Sequence, residues 1–156
     1  MKGNNYMESP NNPFGYSYLL DMYGCRDGVA DDMELTYRFL ERVVDRIGMT
    51  RMSQPIVIHG PTKDGKELYP MKAGVSGWVP LIESGIQIHS IEPTHFITLD
   101  VYSCNNFDKT IIFDYARECF GFTHFEEKYF PRGTGYATLV GGLSAEERIQ
   151  FTAINR

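Results

Sequence analysis

The sequence predicts an α+β domain, a two-layer sandwich in which an antiparallel sheet carries its helices on one face. Three observations carry this prediction. Residues 95–103 show a clear alternation, with Ile97, Leu99 and Val101 separated by Thr98 and Asp100, as a strand with one buried face does. Met33, Tyr37, Leu40, Val44 and Ile47 recur at helical spacing. The elements then follow in the order strand, helix, several strands, helix, which suits an antiparallel sheet covered on one side.

Each element has its own signal. A polar leader, residues 1–15, rich in Asn and Pro, precedes a first strand from Tyr16 to Tyr23, closed by Gly24 and Cys25. Asp31 or Asp32 can cap a helix over about 31–48, and Gly48 stands where a helix stops. Pro55 to His59 is a short apolar strand, followed by a turn-rich break from Pro61 to Gly65. Val75 to Ile82, Ile86 to Ile91 and His95 to Ser103 are three further strands. In the last, Phe96, Thr98, Asp100 and Tyr102 face one way, and Ile97, Leu99, Val101 and Ser103 the other. A second helix runs from Lys109 to Phe120 and ends at Gly121. In the tail, 122–156, Phe122 to Phe130 is compatible with another strand, and Ser144-Ala145-Glu146-Glu147 resembles a helix start. The tail is either an added strand or a dimer arm. There is no internal repeat.

Composition narrows the function. A chain of 156 residues with 42% hydrophobic and 22% charged residues forms a single domain with a real core. A net charge of −5 argues against nucleic acid or an anionic membrane as the main partner. No apolar run has bilayer length, and Met1 to Pro13 lacks the apolar region of a signal peptide, so the expected location is the cytoplasm. Cys25, Cys104 and Cys119 cannot all pair within one chain and are not spaced as a zinc or redox motif. No His, Asp and Glu spacing suggests a metal site.

The chemically informative stretch runs from Gly74 to His89, where two apolar strands meet at Glu83-Ser84-Gly85. Within a regular strand, residues 84 and 89 face opposite sides; a tight turn or bulge at Ser84-Gly85 could bring them to one side. A serine on a constrained turn near an imidazole is a candidate nucleophile, although most Ser-Gly pairs between strands are simply turns.

Four segments in order make this stretch resemble the small prokaryotic, pyruvoyl-dependent S-adenosylmethionine decarboxylase proenzymes. They are Tyr23-Gly24-Cys25, Gly74-Val75-Ser76-Gly77, Glu83-Ser84 with His89 beyond it, and Asp100-Val101-Tyr102-Ser103-Cys104. The resemblance covers about residues 16–121 and implies self-cleavage between Glu83 and Ser84. It implies that Ser84 attacks the carbonyl of Glu83, that His89 removes the α-proton of residue 84, and that Ser76 assists. Residue 84 would then become a pyruvoyl group, forming a Schiff base with the substrate amine and serving as electron sink. Cys104 matches the family's proton donor. His59, His95 and His124 lie outside the motif.

Three departures bear on the substrate. Gly85 follows the serine where the family commonly has His. Glu92-Pro93 reverses the family's Pro-Glu, whose glutamate binds ribose, and Tyr69 does not align cleanly with the aromatic residue that stacks on adenine. Glu92 and Tyr69 are therefore weakly placed substrate-binding candidates. The main reading is an S-adenosylmethionine decarboxylase supplying the aminopropyl donor for spermidine. The alternatives are a pyruvoyl-dependent decarboxylase of ornithine or arginine, and an uncleaved, non-catalytic dimeric homologue. The resemblance also implies a homodimer of cleaved protomers with facing sheets.

Overall fold

The structure is a computed structural model and describes residues 13–64, 66–136 and 142. In chain order the elements are β1 (Gly15–Tyr23), α1 (Met33–Arg46), β2 (Ile56–His59), β3 (Thr62–Lys63), β4 (Lys66–Glu67), β5 (Val75–Leu81), β6 (Ser84–Ile91), β7 (Phe96–Ser103), α2 (Lys109–Phe120) and β8 (His124–Arg132). Six strands form one antiparallel sheet in the order β2-β5-β6-β7-β1-β8, while β3 and β4 pair separately.

The helices begin where side chains can satisfy free backbone donors. Asp32, rather than Asp31, caps α1, its Oδ1 accepting from the Leu35 amide at 2.8 Å. Asp31 is taken instead by the ring of His59, at 2.6 Å. Asp108 caps α2 through the Thr110 amide at 2.9 Å.

Both helices cover one face of the sheet. Tyr18, Leu20 and Met22 of β1, Ile86 and Ile88 of β6, and Ile97, Leu99 and Val101 of β7 are buried there. They pack with Phe39, Leu40, Val43 and Val44 of α1 and with Ile112, Ala116 and Phe120 of α2. Burying each large apolar side chain contributes roughly 1.5–3 kcal/mol, so this face holds the domain together. The alternation expected for β7 is the one found, with Ile97, Leu99, Val101 and Ser103 inward. Gly77 also belongs to this packing. A Cβ there would lie 2.8 Å from Leu40 Cδ1 and 2.9 Å from Ile88 Cγ2, so the residue lets α1 approach the sheet closely.

No helix covers the opposite face among the described residues. It presents Ser76 and Trp78 of β5, Gln87 and His89 of β6, and Asp100 of β7, with Ile56 and Ile58 exposed on the edge strand β2. The first part of the tail is a strand. β8 pairs with β1 from Tyr23↔His124 to Gly15↔Arg132 and forms the other sheet edge. The helix start expected at Ser144 to Glu147 lies outside the described residues. No described helix is long and apolar enough to cross a membrane.

Candidate active site

Pairing of Leu81 with Ser84 leaves only Ile82 and Glu83 to make the turn between β5 and β6. From that turn the ladder runs unbroken to Ser76↔His89, and the β6–β7 ladder runs unbroken from Ser84↔Ser103 to Ile91↔Phe96. The bulge considered at Ser84-Gly85 is therefore absent; regular pleating would put residues 84 and 89 on opposite faces, but residue 84 lines a cavity with Trp78 and Gln87 of the uncovered face. Residue 84 stands out in another way. Its φ is 151°, in a region that suits glycine and costs other residues about 1–3 kcal/mol.

The turn is clamped from both sides. The Ile82 amide donates to the Thr50 carbonyl at 3.0 Å, and the Thr50 amide donates to Glu83 Oε2 at 3.3 Å. From the other side, the Cys104 backbone amide donates to the Glu83 carbonyl oxygen at 3.0 Å. That contact falls on the carbonyl an attacking Ser84 hydroxyl would need. A donor there draws electron density from the carbon and would hold negative charge developing on the oxygen. The Cys104 side chain is half-buried, and burial, followed by the negative charge of Glu83, raises its thiol pKa above the ordinary value. The thiol thus stays protonated at neutral pH.

A second pair lies further along the sheet. Ser76 Oγ and His89 Nδ1 are 2.9 Å apart, on directly opposed residues of β5 and β6. At about 3.3 Å per residue, His89 is about 16 Å along β6 from Ser84. The sequence stretch therefore holds two separate clusters in one protomer, with Ser84, Glu83 and Cys104 in one and Ser76 and His89 in the other.

Glu92 belongs to the distal end as well. It opens a short 3-10 turn, Glu92–Thr94, and its Oε1 accepts from the Gly28 amide at 3.0 Å. Its second oxygen is buried without a partner. Tyr69 precedes another 3-10 turn, Pro70–Lys72, which the Glu92 amide joins through the Ala73 carbonyl at 2.8 Å. Tyr69 is 63% exposed. Neither Glu92 nor Tyr69 lines the cavity at Ser84 in the same protomer.

That cavity, of about 320 Å³, is lined by Ser84, Trp78, Gln87, Asp100, Tyr102 and Arg132, among others. Burial, followed by the charge of Asp21, raises the Asp100 carboxyl pKa. Trp78 gives a physical reason for Gly85, since a Cβ at residue 85 would sit 3.0 Å from Trp78 Nε1. Sequence reasoning missed Trp78, Arg132 and the backbone amide of Cys104. The Trp78 signal was available in the alternation of β5, but the other two depend on pairings between distant segments. No described group of three His, Cys, Asp or Glu residues is arranged to hold a metal ion.

Comparison with known proteins agrees with this frame. The S-adenosylmethionine decarboxylase family model matches residues 16–133. The chain is 36% identical over 127 residues to an S-adenosylmethionine decarboxylase proenzyme of Bacillus velezensis, covering 78% of this chain and 87% of the relative. A proenzyme of the same name from Anoxybacillus flavithermus is 29% identical over 127 residues, covering 78% of this chain and 89% of the relative. Among solved structures, the adenosylmethionine decarboxylase of Aquifex aeolicus superposes with a TM-score of 0.64 at 24% identity, covering 78% of this chain and 92% of that one, a match of fold. With the family model spanning the sheet from β1 to the end of β8, the chain belongs to the S-adenosylmethionine decarboxylase family.

Proposed function

We propose that the chain is a self-processing, pyruvoyl-dependent S-adenosylmethionine decarboxylase that cuts itself between Glu83 and Ser84. The observation that carries this reading is the geometry of one peptide unit. The Glu83 carbonyl accepts the Cys104 amide at 3.0 Å, and the next residue is held at a φ of 151°. An N-to-O acyl shift is uphill in a relaxed peptide, whereas backbone strain and a fixed donor on the oxygen both favour it. Ser84 Oγ adds to the Glu83 carbonyl carbon, the C–N bond breaks, and an ester replaces the amide. A base then takes the α-proton of residue 84, elimination frees a chain ending at Glu83, and water converts the dehydroalanine left at residue 84 to a pyruvoyl group with loss of ammonia.

His89, with Ser76 on its Nδ1, is the base of this reading. About 16 Å separates it from Ser84 along one strand, so the base that serves Ser84 comes from a second protomer. Two sheets facing each other, related by a two-fold axis, would set the turn of one protomer against the distal end of its partner, completing two sites per dimer. The uncovered sheet face, with Ile56, Ile58 and Trp78 exposed, supports this pairing. Glu92 and Tyr69, also distal, would then reach the substrate from the partner.

Once formed, a pyruvoyl group at residue 84 supplies the electron sink that decarboxylation needs. Cys104, joined to the turn through its own amide and kept protonated by burial, is the proton donor. Trp78, Gln87 and Tyr102 shape the cavity beside it. The substrate assignment is supported by the names of the relatives, and we place the product in spermidine synthesis in the cytoplasm. The test is release of labelled carbon dioxide from carboxyl-labelled S-adenosylmethionine, ornithine and arginine. Release from S-adenosylmethionine alone is expected; release from ornithine or arginine alone would overturn the substrate assignment.

A further inference from the structure

The cavity at Ser84 contains a cation supplied by the segment beyond α2. Arg132, the last residue of β8, lines it together with Ser84, Asp100 and Tyr102. Its guanidinium lies over the Tyr102 ring, 4.9 Å from the centroid. Tyr102 is the register partner of Gly85, so this charge is poised one strand away from the residue that follows Ser84. Arg132 Nη1 also donates to Ser17 Oγ at 3.1 Å, and Ser17 is itself buried. Stacking and this hydrogen bond hold the planar group in place. No carboxylate among the described residues forms an ion pair with it.

We infer that Arg132 receives the α-carboxylate of the substrate, an inference that rests on the reading of residue 84 as the reactive carbonyl. An amino acid held through its α-amine at residue 84 places its carboxylate two bonds from that nitrogen, within the same cavity. A guanidinium matches a carboxylate with two parallel N–H donors, and here it is already oriented. The consequence for the reaction has a definite sign. When the bond to the carboxyl carbon breaks, its electron pair stays with the remainder of the substrate and carbon dioxide leaves uncharged. The ion pair is therefore strongest in the ground state and fades toward the transition state, so Arg132 contributes to binding and not to the rate of the chemical step. The decarboxylated product lacks the group that Arg132 holds, so the residue separates substrate from product.

The test uses the full-length chain with Arg132→Met and Arg132→Lys, each shown by mass to be cleaved as the wild type is. KM and kcat are measured for S-adenosylmethionine, and Ki for its decarboxylated product. Arg132→Met is expected to raise KM about tenfold to a hundredfold with kcat unchanged or higher and product Ki unchanged. Arg132→Lys, which keeps the charge and loses the fork, gives a smaller rise in KM and serves as the readout if the Met variant fails to fold. An active wild type with unchanged KM in both variants overturns the inference, as does a parallel rise of KM and product Ki. A wild type that releases no carbon dioxide instead overturns the decarboxylase reading, and the inference falls with it.

Discussion

The two ends of the uncovered sheet face are built from different materials. At the β5–β6 turn the geometry is fixed by backbone, with the Glu83 carbonyl on the Cys104 amide, Ile82 on Thr50, and residue 84 at positive φ. At the other end it is fixed by side chains, through Ser76 on His89 and Glu92 on the Gly28 amide. The turn end can polarise and strain a peptide bond but has no imidazole among its described residues. The distal end has an oriented imidazole, but Ser76, the serine beside it, is not among the residues at positive φ. Each lacks what the other has. Under the proposed pairing, neighbours in sequence become half-sites in space, because five residues of strand span about 16 Å.

His89→Ala should slow cleavage by about 10²–10⁴-fold, and Ser84→Ala should abolish it. When the two variants are co-produced with different tags, their mixed dimers join an intact Ser84 to an intact His89. The His89→Ala chain should then be cut while the Ser84→Ala chain stays whole. Failure of the mixture to cut either chain would mean that the two halves do not meet across protomers.

Cys104 separates processing from turnover. Its amide acts on Glu83, whereas the proposed proton transfer uses its thiol. Cys104→Ala should therefore keep self-cleavage and lower carbon dioxide release by about 10²-fold. In the proposed donor role the working form is the protonated thiol, and its pKa is raised by burial and then by Glu83. Activity should thus fall only as pH rises past a value above that of an ordinary thiol. An alkaline limb in kcat at or below that value would remove Cys104 from the donor role, as would a limb unchanged in Cys104→Ser.

The smallest effect concerns the wall of the turn end. Gly85→His brings a side chain against the half-exposed Trp78 indole and should destabilise the protein by about 0.5–1 kcal/mol in denaturant unfolding. Adding Trp78→Ala should recover most of that loss. A Gly85→His variant as stable as the wild type would mean that the indole turns aside freely.

Much of this fold was legible because one face is apolar and the other is not. The alternation of β7 and the spacing of Leu40 and Val44 on α1 each pointed to the buried side. Glu83, Ser84, His89 and Cys104 were legible through the ordered spacing of their segments. Their distribution over two ends of the sheet was not, because it depends on an unbroken β5–β6 ladder that a short stretch of sequence cannot guarantee. Arg132 was hidden for a related reason. It reaches Ser84's cavity only because β8 folds back beside β1, bringing together residues 115 apart in the chain, Ser17 and Arg132. Gly85 stands in sequence only as a departure from the family's His, and the indole beside it gives the glycine a packing role.

Self-cleavage at a strained peptide can be read from the intact mass of freshly purified protein under denaturing conditions. Two chains are expected, 1–83 and 84–156, the second lacking a free amino terminus and carrying a pyruvoyl-sized end group. A single species near 17.8 kDa after prolonged incubation would contradict it and leave the non-catalytic homologue as the reading of this fold.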